Sequence, residues 1–400
     1  MNTTVPVVVI HRGGYGTIAI ARTLGRLGVP VYLVAQTGMS SPAWSSRYWA
    51  GRMRWDFSAP EEESVSFLRD VGARLGATHG SPAILLTVAD WVAIFLERNG
   101  DALQGQFVFP QPVQPILQTL LNKWGMHLLA NEHGIPTATT ICPASLADVD
   151  RFVEATGFPI VMKAADPFVP ERPPTKLISS KQELMDDLGD RVSARIPLNV
   201  VLQDYIPGDV ATVWMCNGYF GSHSRDPIIF TGKKLRQMSR AGIASLAVCL
   251  PNEIVATQTR RFMEGVGYRG CVGIGYRYDH RDGSYKVLDV NARVSGVFRL
   301  FAGTNDMDVV RACYLDVTDQ TVPLTALQPG RKWMLENDFG PAIEAIKDGS
   351  LTIAEWVRSV RGVREWHWLA ADDPRPGFVW LRDVLRSAVR RAVGARMDTP

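Results

Sequence analysis

The sequence predicts an α/β protein, and three stretches carry that prediction. Residues 5–10, "VPVVVI", are an apolar run followed by the glycine loop "HRGGYG", a helical segment and a second apolar run, "VPVYLVA", at 29–35. Two short buried strands flanking a helix make a βαβ unit. Much later, "GCVGIGYRYDHRDGSYKVLDVNAR" (270–293) reads as two strands joined at Asp282-Gly283, a pair that favours a hairpin turn. Between these, "VFPQPVQP" (108–115) holds three prolines that interrupt any regular element, so the first domain boundary is placed there.

The elements follow in order. The first helix, 17–28, has apolar spacing through Ile18, Ala21, Leu24 and Leu27. The loop before it carries Gly13, Gly14 and Gly16, which lack the full GxGxxG spacing. It is either a turn that needs glycine for its geometry or a set of free backbone N–H groups for a small anion. "AILLTVAD" (83–90) is a further strand and Trp91 to Asn99 a further helix. Past the prolines, a helix over 116–133 stops at His133-Gly134. "GFPIVMKAAD" (157–166) is a strand, "DPFVPERPPT" a proline-rich loop, and "NVVLQDYIPGD" (199–209) a strand running into a turn. "PIIF" and "SLAVCL" are strand-like, and 252–267 is a helix leading into the hairpin. No internal repeat is visible.

Composition narrows the class. A hydrophobic content of 46% with 21% charged residues describes a globular chain rather than a disordered one. A net charge of +3 gives no reason to expect a nucleic-acid partner. Five scattered cysteines without a CxxC argue against a disulfide framework or a zinc site. The start, "MNTTVPVVVIHRGG", does not read as a signal peptide, and no run approaches 18 apolar residues, so a cytoplasmic protein is expected.

Chemistry concentrates on a few polar residues in apolar settings. In "KVLDVNARVSG" (286–296), Asp289, Asn291 and Arg293 alternate and so share one strand face. A carboxylate, an amide oxygen and a guanidinium together make a poor core and a reasonable place for a divalent cation and a phosphate. Lys163 ends the apolar strand "PIVMK", where an ammonium must reach solvent or a fixed anion. Lys123 opens a helix in "NKWGMHLLANEHGIP". Gln203 and Asp204 end a strand, and Asp209 follows in the turn; amide and carboxylate groups there suit an adenine edge and a ribose. "GKKLRQ" adds Lys234 and Arg236, whose charges suit phosphate or carboxylate.

The order of these segments resembles the ATP-grasp superfamily, and within it the predicted carboxylate–amine ligases. The resemblance runs from about residue 5 to 320 through "GGYGTIAIARTLGRLGVPVYLV", "NKWGMHLLANEHGIPTATT", "GFPIVMK", "VVLQDYIPGD", "TGKKLRQ" and "DGSYKVLDVNARVSG". It implies an N-terminal βαβ (pre-ATP-grasp) domain over 1–115 and a two-lobed ATP-grasp α+β core over 116–325, the small lobe reaching to about 203. A small C-terminal extension over 326–400 completes the chain. It further implies that Lys123 and Lys163 reach ATP, with Gln203, Asp204 and Asp209 holding adenine and ribose and Lys234 also on the nucleotide. Asp289 and Asn291 would bind Mg²⁺, while Arg293 and Arg236 would serve catalysis. The implied reaction activates a small-molecule carboxylate as an acyl phosphate, which an amine then attacks; amino acids or small peptides are the family's substrates, and a homodimer is possible.

Two departures stand out. Family members place another acid opposite Asp289, where this chain has "VGIGYRYD" with Gly273 and Gly275, and Asp279 only at the far end. The usual glycine-rich loop after Lys163 is "DPFVPERPPTK", with Arg172 and Lys176 the cations at hand. These departures keep open a nucleotide-binding regulatory or degenerate relative with weak or no ligase activity. A dinucleotide-dependent oxidoreductase built on "GGYG" leaves the strand 286–293 unexplained.

In the tail, Leu381, Val384, Leu385, Ala388, Val389 and Val393 recur at helical spacing from Trp380, with Arg382, Arg386, Arg390 and Arg391 on the other side. Such a helix is compatible with a membrane surface, but packing on its own protein or a partner is the expected use.

Overall fold

The computed structural model describes residues 1–11, 13, 15–169, 172–193, 198–222, 226–238 and 242–397. Gly14 therefore lies outside the described residues, as do the side chains of Arg390, Arg391 and Val393.

The N-terminal sheet is parallel, with strands β1 (Val7–His11), β2 (Val31–Gln36), β3 (Trp49–Trp55), β4 (Ala83–Thr87) and β5 (Phe107–Val108). Their order is β3-β2-β1-β4-β5. Helices α1 (Thr17–Gly25), α2 (Glu61–His79), α3 (Asp90–Arg98) and the single turn α4 (Gly100–Leu103) connect them. Both faces are covered: Val7, Val9 and Leu33 enter one core, Val8, Ile10 and Val34 the other. That explains the unbroken apolar runs at 5–10 and 83–86. Because β1 has β2 on one side and β4 on the other, a crevice opens beyond their C-terminal ends, the usual ligand position in such sheets.

The helix expected over 116–133 is two helices, α5 (Leu117–Leu121) and α6 (Lys123–Glu132). Asn122 divides them, its side chain accepting hydrogen bonds from the N–H groups of Trp124 and Gly125 at 3.0 and 2.9 Å. An Asx cap is a stronger local signal than continuing apolar spacing. A four-stranded antiparallel sheet follows, formed by β6 (Thr140–Ile141), β7 (Ile160–Ala164), β8 (Lys176–Ile178) and β9 (Val200–Asp204) in the order β6-β9-β7-β8. Helices α7 (Leu146–Thr156) and α8 (Lys181–Ser193) accompany it, with Val149, Phe152, Leu184 and Leu188 closing its core.

The largest sheet has seven strands: β10 (Val213–Phe220), β11 (Ile228–Gln237), β12 (Ala244–Cys249), β13 (Gly270–Asp279), β14 (Ser284–Asn291), β15 (Lys332–Met334) and β16 (Val363–Trp366). They run in the order β14-β13-β10-β11-β12-β15-β16, so the sheet continues past residue 325 into the C-terminal segment. Helix α9 (Glu253–Gly265) lies between β12 and β13 and α10 (Val309–Val317) between β14 and β15, and α10 packs in one core with the N-terminal sheet. The chain ends with α11 (Phe339–Lys347), α12 (Ile353–Val360) and α13 (Arg375–Met397).

One contact set ties the two ends of the chain together. Arg22 of α1 is fully enclosed; its Nε donates to Asp373 at 3.0 Å and its two terminal nitrogens to the carbonyls of His367 and Trp368 at 2.8 Å each.

Candidate active site

The hairpin β13–β14 places the polar strand face. Gly273 pairs with Asn291 and Gly275 with Asp289, but Tyr276 pairs with Val287. Leu288 is thus an extra residue, a β-bulge. The bulge breaks strict alternation, so Val287 and Val290 both enter the core while Asp289 faces the cleft with Asn291. Asn291 Nδ2 donates to Asp289 Oδ2 at 3.2 Å, and Asn291 Oδ1 accepts from Arg293 Nη2 at 3.0 Å. The three residues therefore stand side by side, as their spacing predicts. Arg293 is fixed from the other side by Asp90, whose Oδ1 accepts from Nε at 2.9 Å.

Lysines converge on this strand from three elements. Lys123 opens α6, and its backbone N–H donates to Ala165 O at 2.8 Å, bringing the helix start to the end of β7. Lys163 of β7 donates to Gln203 Oε1 at 2.9 Å. Lys234 of β11 donates to the Gly242 carbonyl at 3.0 Å. Burial pushes the Lys163 ammonium down to about 8, helped by repulsion from Lys123 and opposed by Asp289. Burial likewise lowers Lys234, against the pull of Asp289 and with a push from Arg277. Burial alone raises Asp289, yet Lys123, Lys234 and Lys163 together with the Asn291 amide outweigh it and hold the carboxyl below its ordinary value. Among the described residues, three ammoniums act on the one Asp289 carboxylate, an excess of two positive charges within this group. Such an excess in a cleft is a cradle for a polyanion.

The remaining candidates sit differently. Gln203 spends its side chain on Lys163 and, through Nε2, on Thr140 Oγ1 at 3.0 Å. Asp204 pairs with Arg281 at 2.8 Å, and Asp209 caps the turn at Val210–Thr212 by accepting from Ala211 N at 2.9 Å. All three line the junction between the two later sheets, but their side chains have protein partners. Arg236 is bound to the buried Asp338, with Nη2 to Oδ2 at 2.6 Å, and to Ser359 Oγ at 2.6 Å. The hydrogen-bonding groups of Arg236 are thus committed to Asp338 and Ser359. Arg172 donates to Pro167 O at 2.6 Å and Lys176 pairs with Asp187 at 2.5 Å, so both turn toward their own lobe.

The residue paired with Asp289 across the hairpin is Gly275, not an acid. Asp279 is enclosed by Arg281 and Lys286, each at 2.7 Å, and these partners hold its carboxyl far below the usual range. Asp282 also pairs with Lys286, at 2.8 Å. Among the described residues no group of three His, Cys, Asp or Glu side chains is placed to hold a metal. The donor set is one carboxylate and one amide, hard oxygens that suit Mg²⁺ only when phosphates supply the rest.

Gly16 approaches this strand from the N-terminal domain. Gly16 has φ +108°, and a Cβ there would lie 3.1 Å from Gly296 Cα. Gly16 is thus required both by its backbone and by its approach to the loop just after Arg293. Behind it, Tyr15 meets His367 edge-on at 5.0 Å between ring centres. Sequence reasoning missed Asp90; its place just beyond the C-terminal end of a parallel strand was the available signal.

No family model matches the chain. The chain is 23% identical over 240 residues to the D-aspartate ligase of Enterococcus faecium (strain Aus0004), covering 57% of this chain and 57% of that protein. It therefore spans little more than half the length of that relative. The L-amino acid ligase from Bacillus licheniformis superposes with a TM-score of 0.60 at 14% identity, covering 83% of this chain and 79% of the other. The chain has the ATP-grasp fold. The biotin carboxylase domain of the Hydrogenobacter thermophilus 2-oxoglutarate carboxylase, solved with MgADP and bicarbonate, superposes with the same TM-score, 0.60, at 13% identity over 81% of this ATP-grasp chain and 73% of that one.

Proposed function

We propose that this protein is an ATP- and Mg²⁺-dependent carboxylate–amine ligase that forms an amide bond through an acyl phosphate. One observation carries the reading: Lys123, Lys163 and Lys234 surround the lone carboxylate of Asp289 at the end of a strand that also presents Asn291 and Arg293. The likeness to two amino-acid ligases by sequence and fold supports it.

In this reading the lysines bind the ATP phosphates, and the strand-end backbone at Gln203–Asp204 meets the adenine. Asp289 and Asn291 would hold Mg²⁺, which when bound would neutralise charge on the phosphates. A carboxylate oxygen of the first substrate attacks the γ-phosphorus, and ADP leaves. The amine nitrogen of the second then attacks the acyl carbon, phosphate leaves, and the nitrogen loses a proton. Arg293, held by Asp90, offers fixed donors to the transferred phosphoryl and to the oxyanion that follows. Amino acids or small peptides are the proposed substrates.

ADP release, measured with ATP, Mg²⁺ and pairs of carboxylate and amine compounds, tests this. The expected result is release that requires both substrates, with an acyl hydroxamate formed when hydroxylamine replaces the amine. ATP binding without turnover across a broad amino-acid panel would favour the nucleotide-binding, non-ligating alternative.

A further inference from the structure

Over the described side chains, 378–389, the apolar face of the last helix has no partner. Among the described side chains, α13 meets the body near its start, where Pro376 and Gly377 are buried and Trp380 Nε1 donates to Asn337 Oδ1 at 3.2 Å. From Leu381 to Val389 every side chain except that of Asp383 is exposed, so the expected packing on its own protein does not occur here. Phe378 is 69% exposed, Leu385 57% and Val389 61%. With Leu381, these residues fall on one stripe of the helix, away from the side that carries Trp380. Arg382 and Arg386 flank the stripe, and together they line a shallow groove.

The charge decides what can cover that stripe. Residues 375–397 contain six arginines, Arg375, Arg382, Arg386, Arg390, Arg391 and Arg396, against one acid, Asp383, which Arg382 already engages at 2.8 Å. Two copies joined by the same face would set arginines against arginines. An anionic lipid surface offers hydrocarbon to the stripe and phosphates to the arginines, whose stems can lie along the apolar boundary. Elsewhere in the C-terminal segment Phe339 and Ile343 on α11 and Ile353 and Val357 on α12 are also exposed. Among the described residues no helix is long and apolar enough to cross a bilayer, so contact would be at the surface.

We propose that α13 docks the protein onto an anionic lipid bilayer, with Phe378, Leu381, Leu385 and Val389 entering the interface and Arg382 and Arg386 meeting lipid phosphates. Co-sedimentation of the full-length protein with vesicles tests it. Binding is expected to equimolar phosphatidylglycerol–phosphatidylcholine vesicles, to weaken with added salt, and to be slight on phosphatidylcholine alone. Leu381→Glu with Leu385→Glu should reduce binding at least tenfold while leaving the melting temperature and ATP binding unchanged, since both side chains are exposed in the wild type. Arg382→Glu with Arg386→Glu should remove the preference for the anionic lipid. Wild-type protein that ignores these vesicles, or a leucine double variant that binds as tightly as wild type, overturns the proposal. So does a concentration-dependent dimer that the leucine variant disperses without any vesicle binding, which would make the stripe an interface between copies.

Discussion

Gly275 stands directly across the hairpin from Asp289, and a Cβ at position 275 would run into the Asp289 carboxylate. Gly273 instead faces Asn291, where an added Cβ would meet Ser295 at 2.9 Å. Position 275 is therefore where a second acidic ligand would act, and this chain has none there. With one carboxylate, Mg²⁺ binding should depend on ATP, because the phosphates must supply the missing charge and oxygens. Calorimetric titration is expected to show negligible Mg²⁺ binding to the free protein and clear binding with ATP. Gly275→Asp should tighten the metal, with Asp289 turning aside to share it, and Gly273→Asp should not. Tight Mg²⁺ binding by the ATP-free wild type would show that a ligand lies elsewhere.

Lys163 supplies a pH signature. Its ammonium titrates near 8 in the free protein, below the usual lysine value of about 10.4, chiefly because it is buried. Phosphates beside it would hold the proton to higher pH, so nucleotide binding above about pH 8 takes up a proton. ATP affinity should be nearly flat just below that pH and fall above it, by up to about tenfold per pH unit. Lys163→Arg keeps its charge and should flatten the profile, whereas Lys163→Ala should abolish detectable binding. An affinity indifferent to pH through this window would remove Lys163 from the phosphates. The stability sign is also fixed: the folded pKa is depressed, so the unfolded chain binds more protons between about 8 and 10.4, and this lysine's penalty on folding lessens as pH rises through that window.

Much of this arrangement was legible because local chemistry reports it. The apolar runs at 5–10 and 83–86 marked strands buried on both faces, and alternation placed Asp289, Asn291 and Arg293 together. What escaped was long-range or compensated locally. Nothing near Arg236 in sequence announces Asp338, 102 residues on, and nothing near Arg22 announces Asp373. The bulge at Leu288 is equally silent, because its residue is an ordinary strand former whose extra position is set by register against β13. The strand Trp49–Trp55 and the helix Glu61–His79 were passed over; the first carries alternation at a sheet edge, the second a mixed apolar face with Leu68, Val71 and Leu75.

The Arg236–Asp338 pair predicts a structural outcome for a residue first read as catalytic. Asp338 is fully buried and also accepts from Ser245 Oγ at 2.6 Å, so its carboxylate joins β11, β12 and the turn before α11. Asp338→Ala would strand the guanidinium without its partner and should cost about 3–5 kcal/mol of stability. Denaturant unfolding of the variant measures this. Unaltered stability alongside a large loss of turnover would instead place Arg236 in the chemistry.

Asp90 and Arg293 join the N-terminal domain to the strand of the proposed site, at 2.9 Å between Oδ1 and Nε. Arg293 also engages Asn291 Oδ1, at 3.0 Å, so Asp90 acts on the proposed site by setting how the guanidinium is presented. Asp90→Asn keeps an acceptor of the same shape but removes the charge that orients Arg293. Misplacing one fixed donor by a fraction of an ångström should lower turnover by roughly tenfold. ATP affinity should change little, because Lys123, Lys163 and Lys234 are the groups proposed to hold the phosphates. Arg293→Lys loses the planar fork itself and should cost roughly a hundredfold or more in turnover. The separation of the two effects is the discriminating measurement. If Asp90→Asn weakened ATP binding and turnover equally, the pair would be a strut between domains, and the orientation of Arg293 would have to come from Asn291 alone.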